Sequence, residues 1–210
     1  MCYLCIMESQ KQKILESAHT LFFQCGTRSV SMDDISKKLS ISKKTLYQYF
    51  KNKNELIEEV VNWDLSNPRF NFQSEKYKGL NAIDCYWEFH QFVLGILKNQ
   101  HHSFDYDLNK YHPELAKEFK TRKLELFKSD LLININQGIK EGLYRDNFNI
   151  EIISNLLIRF YLNRWNQELE AYNGDEIFSE KFHRELTLYH LHGICSIKGV
   201  EYLNKISKQD

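Results

Sequence analysis

The stretch Ser40-Ile41-Ser42-Lys43-Lys44-Thr45-Leu46-Tyr47-Gln48-Tyr49-Phe50-Lys51-Asn52-Lys53-Asn54 sets the reading of this chain. Ser42 is a natural N-cap, because its hydroxyl can accept from the free amides of a helix carrying Lys43 to Phe50. Within that helix Leu46 and Phe50 stand four apart and share one face, with Ile35, Leu39 and Ile41 supplying the rest of a small core. Lys43, Lys44, Tyr47 and Gln48 fall on a stripe turned from it by roughly 100°. A short helix with an apolar back and a basic, hydrogen-bonding front suits a DNA major groove.

Upstream, Ile14, Ala18, Leu21, Phe22 and Cys25 recur at spacings of three and four, which predicts a first helix from about Met7 that Gly26 ends. Ser31-Met32-Asp33-Asp34 has the form of a capping box, with two carboxylates at the positive end of a second helix running to about Leu39. Ser40-Ile41-Ser42 is then the tight turn of a helix-turn-helix. Recognition helices read bases chiefly through their N-terminal residues, so Lys43, Lys44 and Gln48 are the candidate readers. The hydroxyls of Thr45 and Tyr47, and the ammonium of Lys53, are placed to hold phosphate. Ser31, Ser42 and Tyr49 complete the expected DNA-facing set, although Tyr49 lies near the centre of neither stripe.

The chain has 210 residues and a formal net charge of zero, yet six lysines and no acidic residue fall between Ile35 and Asn54. The positive charge is local, and such a patch can engage phosphates on a neutral chain. Two prolines and eight glycines are little material for the turns of an all-β protein. Five cysteines at irregular spacing make no disulfide framework, and no secretory leader is evident, so the cytoplasm is the expected compartment. Cys2 and Cys5 form a C-x-x-C without a second ligand pair, and the blander reading is a loose tail ahead of Met7. His101, His102 and His112 lack the spacing of a helix metal site, so neither metal nor cofactor is expected. No run approaches the ~20 apolar residues of a membrane span. Metalloprotease, phosphate-loop and nucleophile-elbow motifs are absent, and the chain does not read as an enzyme.

Residues 40–56 resemble the signature of the TetR family of bacterial transcriptional regulators, which runs close to G-V-S-K-G-T-L-Y-x-Y-F-x-x-K-E-x-L. The resemblance covers about residues 9 to 61. Two departures occur: Ser40 stands at the usual turn glycine, in a conformation that glycine adopts more freely, and Lys44 replaces a common glycine or proline. The family implies an all-α protein with an N-terminal three-helix DNA-binding domain, residues 7–53, followed by a helical bundle, residues 54–210, for ligand binding and dimerisation. Residues 54–66 would be the connector helix, with Leu56, Ile57, Val60 and Val61 inward and Asn67-Pro68 as its stop. By the same resemblance the protein is a repressor, released from a palindromic operator by a small-molecule effector. The alternative is a helical interaction module of the same fold that no longer reads an operator.

Beyond a polar stretch from Ser66 to Gly79, further helices are expected over 82–100, 104–110, from Pro113 to Gly138–Gly142, from Asn149, and from Asp175 to about Ile206. The family's dimers form through the last two helices. On the final one Leu186, His190, Gly193, Ile197 and Val200 make a candidate stripe, and a two-fold dimer would set two recognition helices ~34 Å apart on successive grooves. Trp87, His90, Phe104, Tyr106, Phe127 and Trp165 are candidate pocket walls, apolar with occasional polar handles.

Overall fold

A computed structural model describes residues 3–67, 71–99, 103–165 and 179–208. Cys2, Pro68, His101, His102, Gly174 and Asp175 lie outside the described residues, as do the side chains of Cys5, Phe160, Tyr161 and Trp165. The protein is all-α, with helices α1 (Tyr3–Cys25), α2 (Met32–Lys38), α3 (Lys43–Tyr49), α4 (Lys53–Ser66), α5 (Ala82–Asn99), α6 (Ser103–Tyr111), α7 (Pro113–Lys140), α8 (Ile150–Trp165), α9 (Glu180–Ile194) and α10 (Ile197–Ile206). The chain divides into two compact units, one of residues 1–69 with 100–123 and one of 70–99 with 124–210.

In the first unit α1 begins at Tyr3, so the segment expected as a loose tail before Met7 continues the helix. Gly26, at φ 83°, stops it, and a Cβ there would sit 2.6 Å from Asp107 Oδ2. Ile14, Ala18 and Phe22 of α1 are buried with Ile35, Leu46, Phe50, Leu56 and Val60, which is the core the periodicities predict. Phe104, Leu108 and Phe119 join it from α6 and the start of α7. Inside this apolar shell His19 Nε2 lies 2.7 Å from Asp64 Oδ1, and Lys123 Nζ lies 2.9 Å from Asp64 Oδ2. Burial alone would raise the Asp64 carboxyl, but the hydrogen bond from His19 and the charge of Lys123 outweigh it and bring it down to about 2.

In the second unit Ile83, Tyr86, Leu131, Ile135, Leu191, Ile194 and Leu203 form a separate core. Asn81 caps α5, its Oδ1 accepting from the amides of Ile83 and Asp84. Asn134, fully buried on α7, donates to the Ala82 carbonyl at 2.8 Å and accepts from the Tyr144 hydroxyl at 3.1 Å. In the polar stretch after α4, Phe72 and Tyr77 are buried, and residues Glu75–Tyr77 make a 3-10 turn.

The expected single helix reaching Ile206 is instead broken at Cys195-Ser196 into α9 and α10. The cause is non-local. The Arg145 amide donates to the Ile194 carbonyl, and the Ser196 amide donates to the Leu143 carbonyl at 2.8 Å. Ser196 then caps α10, its Oγ accepting from the Gly199 amide and donating to the Gly142 carbonyl. Gly199 is required by the same approach, since a Cβ would fall 2.0 Å from the Leu143 oxygen.

Candidate nucleic-acid interface

The interface is built on two caps and one strained turn. Ser31 Oγ accepts from the Asp34 amide while Asp34 Oδ2 accepts from the Ser31 amide, closing the capping box. Leu39 ends α2, and Ser40 takes the left-handed conformation at φ 54°, the position where the resemblance has glycine. The Ile41 amide returns to the Ser36 carbonyl at 3.0 Å, which folds the turn back over α2. Ser42 Oγ accepts from the Thr45 amide at 2.9 Å and starts α3.

Leu46 and Phe50 anchor the back of α3 in the core, so its front is held toward solvent. Lys43, Lys44, Tyr47 and Gln48 are all exposed there, as the stripe analysis expects. Lys43 is not free: its ammonium pairs with Asp33 Oδ1 at 2.7 Å, and that hydrogen bond, with the carboxylate's charge, raises it above its ordinary value. Thr45 is half-buried and its hydroxyl is shared with Ser42 at 2.7 Å, which leaves it less available for phosphate than an open hydroxyl. Ser31 is exposed, but its hydroxyl is committed to Asp34 at 2.6 Å. Tyr49 turns toward α1, its hydroxyl donating to Met7 Sδ at 3.2 Å. Lys53 lies off this front in a separate cleft, with Nζ 3.4 Å from the Arg28 carbonyl.

Residues 14–60 match the family model described as bacterial regulatory proteins, tetR family. Over 177 residues the chain is 26% identical to an HTH-type transcriptional regulator of Staphylococcus aureus (strain MRSA252), covering 80% of this chain and 90% of that one. Through residues 14–60 the chain carries the DNA-binding region of TetR-family transcriptional regulators. A second S. aureus HTH-type regulator (strain USA300) is 41% identical, but over 58 residues, 28% of this chain and 31% of its own length. The fold of this chain is shared with a transcriptional regulator from Saccharomonospora viridis in complex with choline, at TM-score 0.64 and 19% identity over 90% of this chain and 99% of that one. It is shared also with reduced E. coli NemR, at TM-score 0.63 and 13% identity over 90% and 97%. With such relatives the chain is a DNA-binding regulator and not an enzyme. Among the described residues no helix is long and apolar enough to cross a membrane.

Of the six aromatic candidates for a pocket, Trp165 has its side chain outside the described residues, and the other five divide between the two units. Phe104 belongs to the first unit's core, stacked 4.0 Å from Phe23, and Tyr106 of the same unit is 51% exposed. Trp87, His90 and Phe127 belong to the second unit, with the Trp87 and His90 rings 5.0 Å apart. Beside them lies a polar interior, of which His183 and Thr187 had carried no sequence signal of their own. His90 Nδ1 lies 2.8 Å from His183 Nδ1 and 3.2 Å from Thr187 Oγ1, all buried. For the two Nδ1 atoms to share a hydrogen bond, one imidazole donates its Nδ1 proton to the bare Nδ1 of the other. Burial pushes His190, 5.1 Å from the Tyr86 ring, down to about 4. Its Nε2 and the Ser154 hydroxyl are buried without a hydrogen-bond partner among the described residues. Spacings of four and seven place His183, Thr187 and His190 on one face of α9, of which the dimer stripe had taken only His190.

That stripe is divided by the break at Cys195-Ser196. His190 is buried and Val200 packs against the second core, whereas Leu186 is half-buried, Gly193 exposed and Ile197 84% exposed. Other exposed apolar residues accompany the last two: Tyr189 of α9 at 81%, and Ile152 and Leu156 of α8 at 57% and 61%.

Proposed function

We propose that this TetR-family regulator is a cytoplasmic, homodimeric repressor that leaves a palindromic operator when a small-molecule effector binds its second unit. The observation that carries the reading is the front of α3, where Lys43, Lys44, Tyr47 and Gln48 stand exposed over a buried Leu46 and Phe50. Lysine can donate to guanine and glutamine can pair with adenine, and both groups sit in the N-terminal turns that enter a major groove. Residues 7–53 are the reading head, 54–66 the connector and 54–210 the effector and dimerisation domain.

A single head this small binds weakly, and a two-fold pair reads two half-sites ~34 Å apart. The exposed Ile152, Leu156, Tyr189 and Gly193 on α8 and α9 support a self-complementary apolar contact in which the glycine permits close approach. The choline in the S. viridis regulator supports a small molecule as the effector class. Trp87, His90 and Phe127 offer apolar walls with one polar handle. An effector that binds a conformation with mismatched heads releases the operator by its differential affinity.

Selection of sites from random duplex, followed by salt titration of the best site against scrambled DNA, tests this. An enriched palindrome with large discrimination supports the dimeric reader. Equal, salt-sensitive binding to both duplexes points to an interaction module that has lost operator reading.

A further inference from the structure

In the second unit α9 packs against α5 in the antiparallel sense. The His190 ring lies 5.1 Å from Tyr86, and one turn further along α5 His90 meets Thr187 and His183. The α9 number falls as the α5 number rises, so the buried polar face of α9 and the facing stripe of α5 form one seam.

His90, His183 and Thr187 satisfy one another across that seam, with contacts of 2.8 and 3.2 Å. His190 does not share in this. It is 8% exposed, and its Nε2 is buried with no hydrogen-bond partner among the described residues. A buried polar atom left unpaired costs stability, which a ligand group placed against it would recover.

Charge narrows the class of that ligand. Among the described residues of the second unit no carboxylate, ammonium or guanidinium is buried. Burial brings His190 down to about 4, so its imidazole is neutral at physiological pH. A charged ligand would enter this interior without a counter-ion, at a heavy desolvation cost. The surroundings are aromatic: the rings of Phe72, Tyr86 and Phe89 have centroids 5.8 to 6.4 Å apart, and Phe127 lies 5.3 Å from Phe89. A flat apolar ring packs on such walls by offset stacking or edge contact. The Nε2 of a neutral imidazole is a donor in one tautomer and an acceptor in the other, and a hydroxyl satisfies either.

We propose that the α5–α9 seam is a binding site for an uncharged aromatic molecule bearing a hydroxyl, which hydrogen-bonds His190 Nε2 while its ring rests on the Tyr86 and Phe89 side. That its occupant is the effector rests on the reading of the second unit given above; the site itself does not.

Calorimetric titration of the full-length protein with phenol, toluene, benzoate and choline tests this. Toluene keeps the ring and size of phenol without the hydroxyl, and benzoate and choline carry opposite charges. Phenol should bind saturably and about tenfold more tightly than toluene, and neither ion should displace it. In His190→Phe the ratio of phenol to toluene affinity should fall to about one, and His190→Gln, which returns a polar group near the Nε2 position, should restore part of it. A purely structural His190 would weaken both ligands together and keep their ratio, which overturns the proposal. Absence of phenol binding, equal wild-type affinities for phenol and toluene, or displacement of phenol by either ion also overturns it. Should His190→Phe not fold, 15N-histidine spectra of wild type beside His190→Gln identify the His190 Nε2 signal; phenol and not toluene must move it, and an unmoved signal overturns the site. Duplex binding measured in the same solutions separates the two readings. Phenol that binds through His190 without changing duplex affinity supports the site and refutes its effector role, whereas a protein that binds duplex but no phenol loses the site and remains a regulator.

Discussion

Lys43 Nζ and Asp33 Oδ1 are 2.7 Å apart, so the first lysine of the recognition helix is engaged by a carboxylate from the preceding helix. The pair is exposed, and its own stabilisation is small. Its effect is on DNA, since Asp33 occupies one of the three ammonium donors, draws the side chain toward α2 and repels the phosphates that approach.

Asp33→Asn should therefore tighten binding to any duplex by a few-fold and steepen its salt dependence, whereas Lys43→Ala or Gln48→Ala should relax preference at particular base pairs. Site selection with each variant checks this. An unchanged selected motif in both Lys43→Ala and Gln48→Ala would remove them as readers.

Ser40 holds φ 54° without glycine's freedom. Ser40→Gly relieves the left-handed strain but adds entropy to the unfolded chain, and the two effects partly cancel. A net gain of about 0.5 kcal/mol is expected, read as a higher urea midpoint at constant slope.

The Asp64 carboxyl, held at about 2 against 3.8, is depressed on folding, so its stabilisation is present above pH 4 and lost as pH falls toward 2. The full effect is about 2 kcal/mol. Stability measured from pH 5 down to 2 should decline more steeply in wild type than in Asp64→Asn. At neutral pH that variant should be less stable than wild type, because His19 and Lys123 lose their shared partner.

Gly199→Ala must push a methyl into the Leu143 carbonyl, so α10 has to shift or the Ser196–Leu143 bond must open. A loss of at least about 2 kcal/mol is expected. Calorimetric unfolding of the variant beside Gly95→Ala, where a Cβ meets nothing within 4 Å, is the control that separates contact from a general helix effect.

Leu156 is 61% exposed on α8, so a charge there stays in contact with solvent. Leu156→Glu should leave the helical content unchanged while shifting the protein from dimer to monomer in light scattering. Affinity for a full palindrome should fall with it, and affinity for a half-site should not. A variant that stayed dimeric with wild-type operator affinity would move the interface away from this face.

The chain by itself determined whatever depends on neighbours within one or two helical turns. Ser31, Ser42 and Gly26 mark helix ends because capping and left-handed turns are local demands, and the spacing of Ile35, Leu46 and Phe50 suffices to separate core from DNA-facing front. The exposed positions of Lys43, Lys44, Tyr47 and Gln48 followed from that separation. Tertiary structure decided what joins distant residues. Arg28 meets Asp107 across 79 positions, and the two termini of that contact carry no periodicity that points to each other. The break at Cys195-Ser196 could not be read from a helical pattern running through it. Backbone groups of Leu143 and Arg145 create it by offering hydrogen bonds that compete with continuing the helix. The same limit hid the buried His90–His183 pair, since apolar spacing records which face turns inward but not which polar groups meet there.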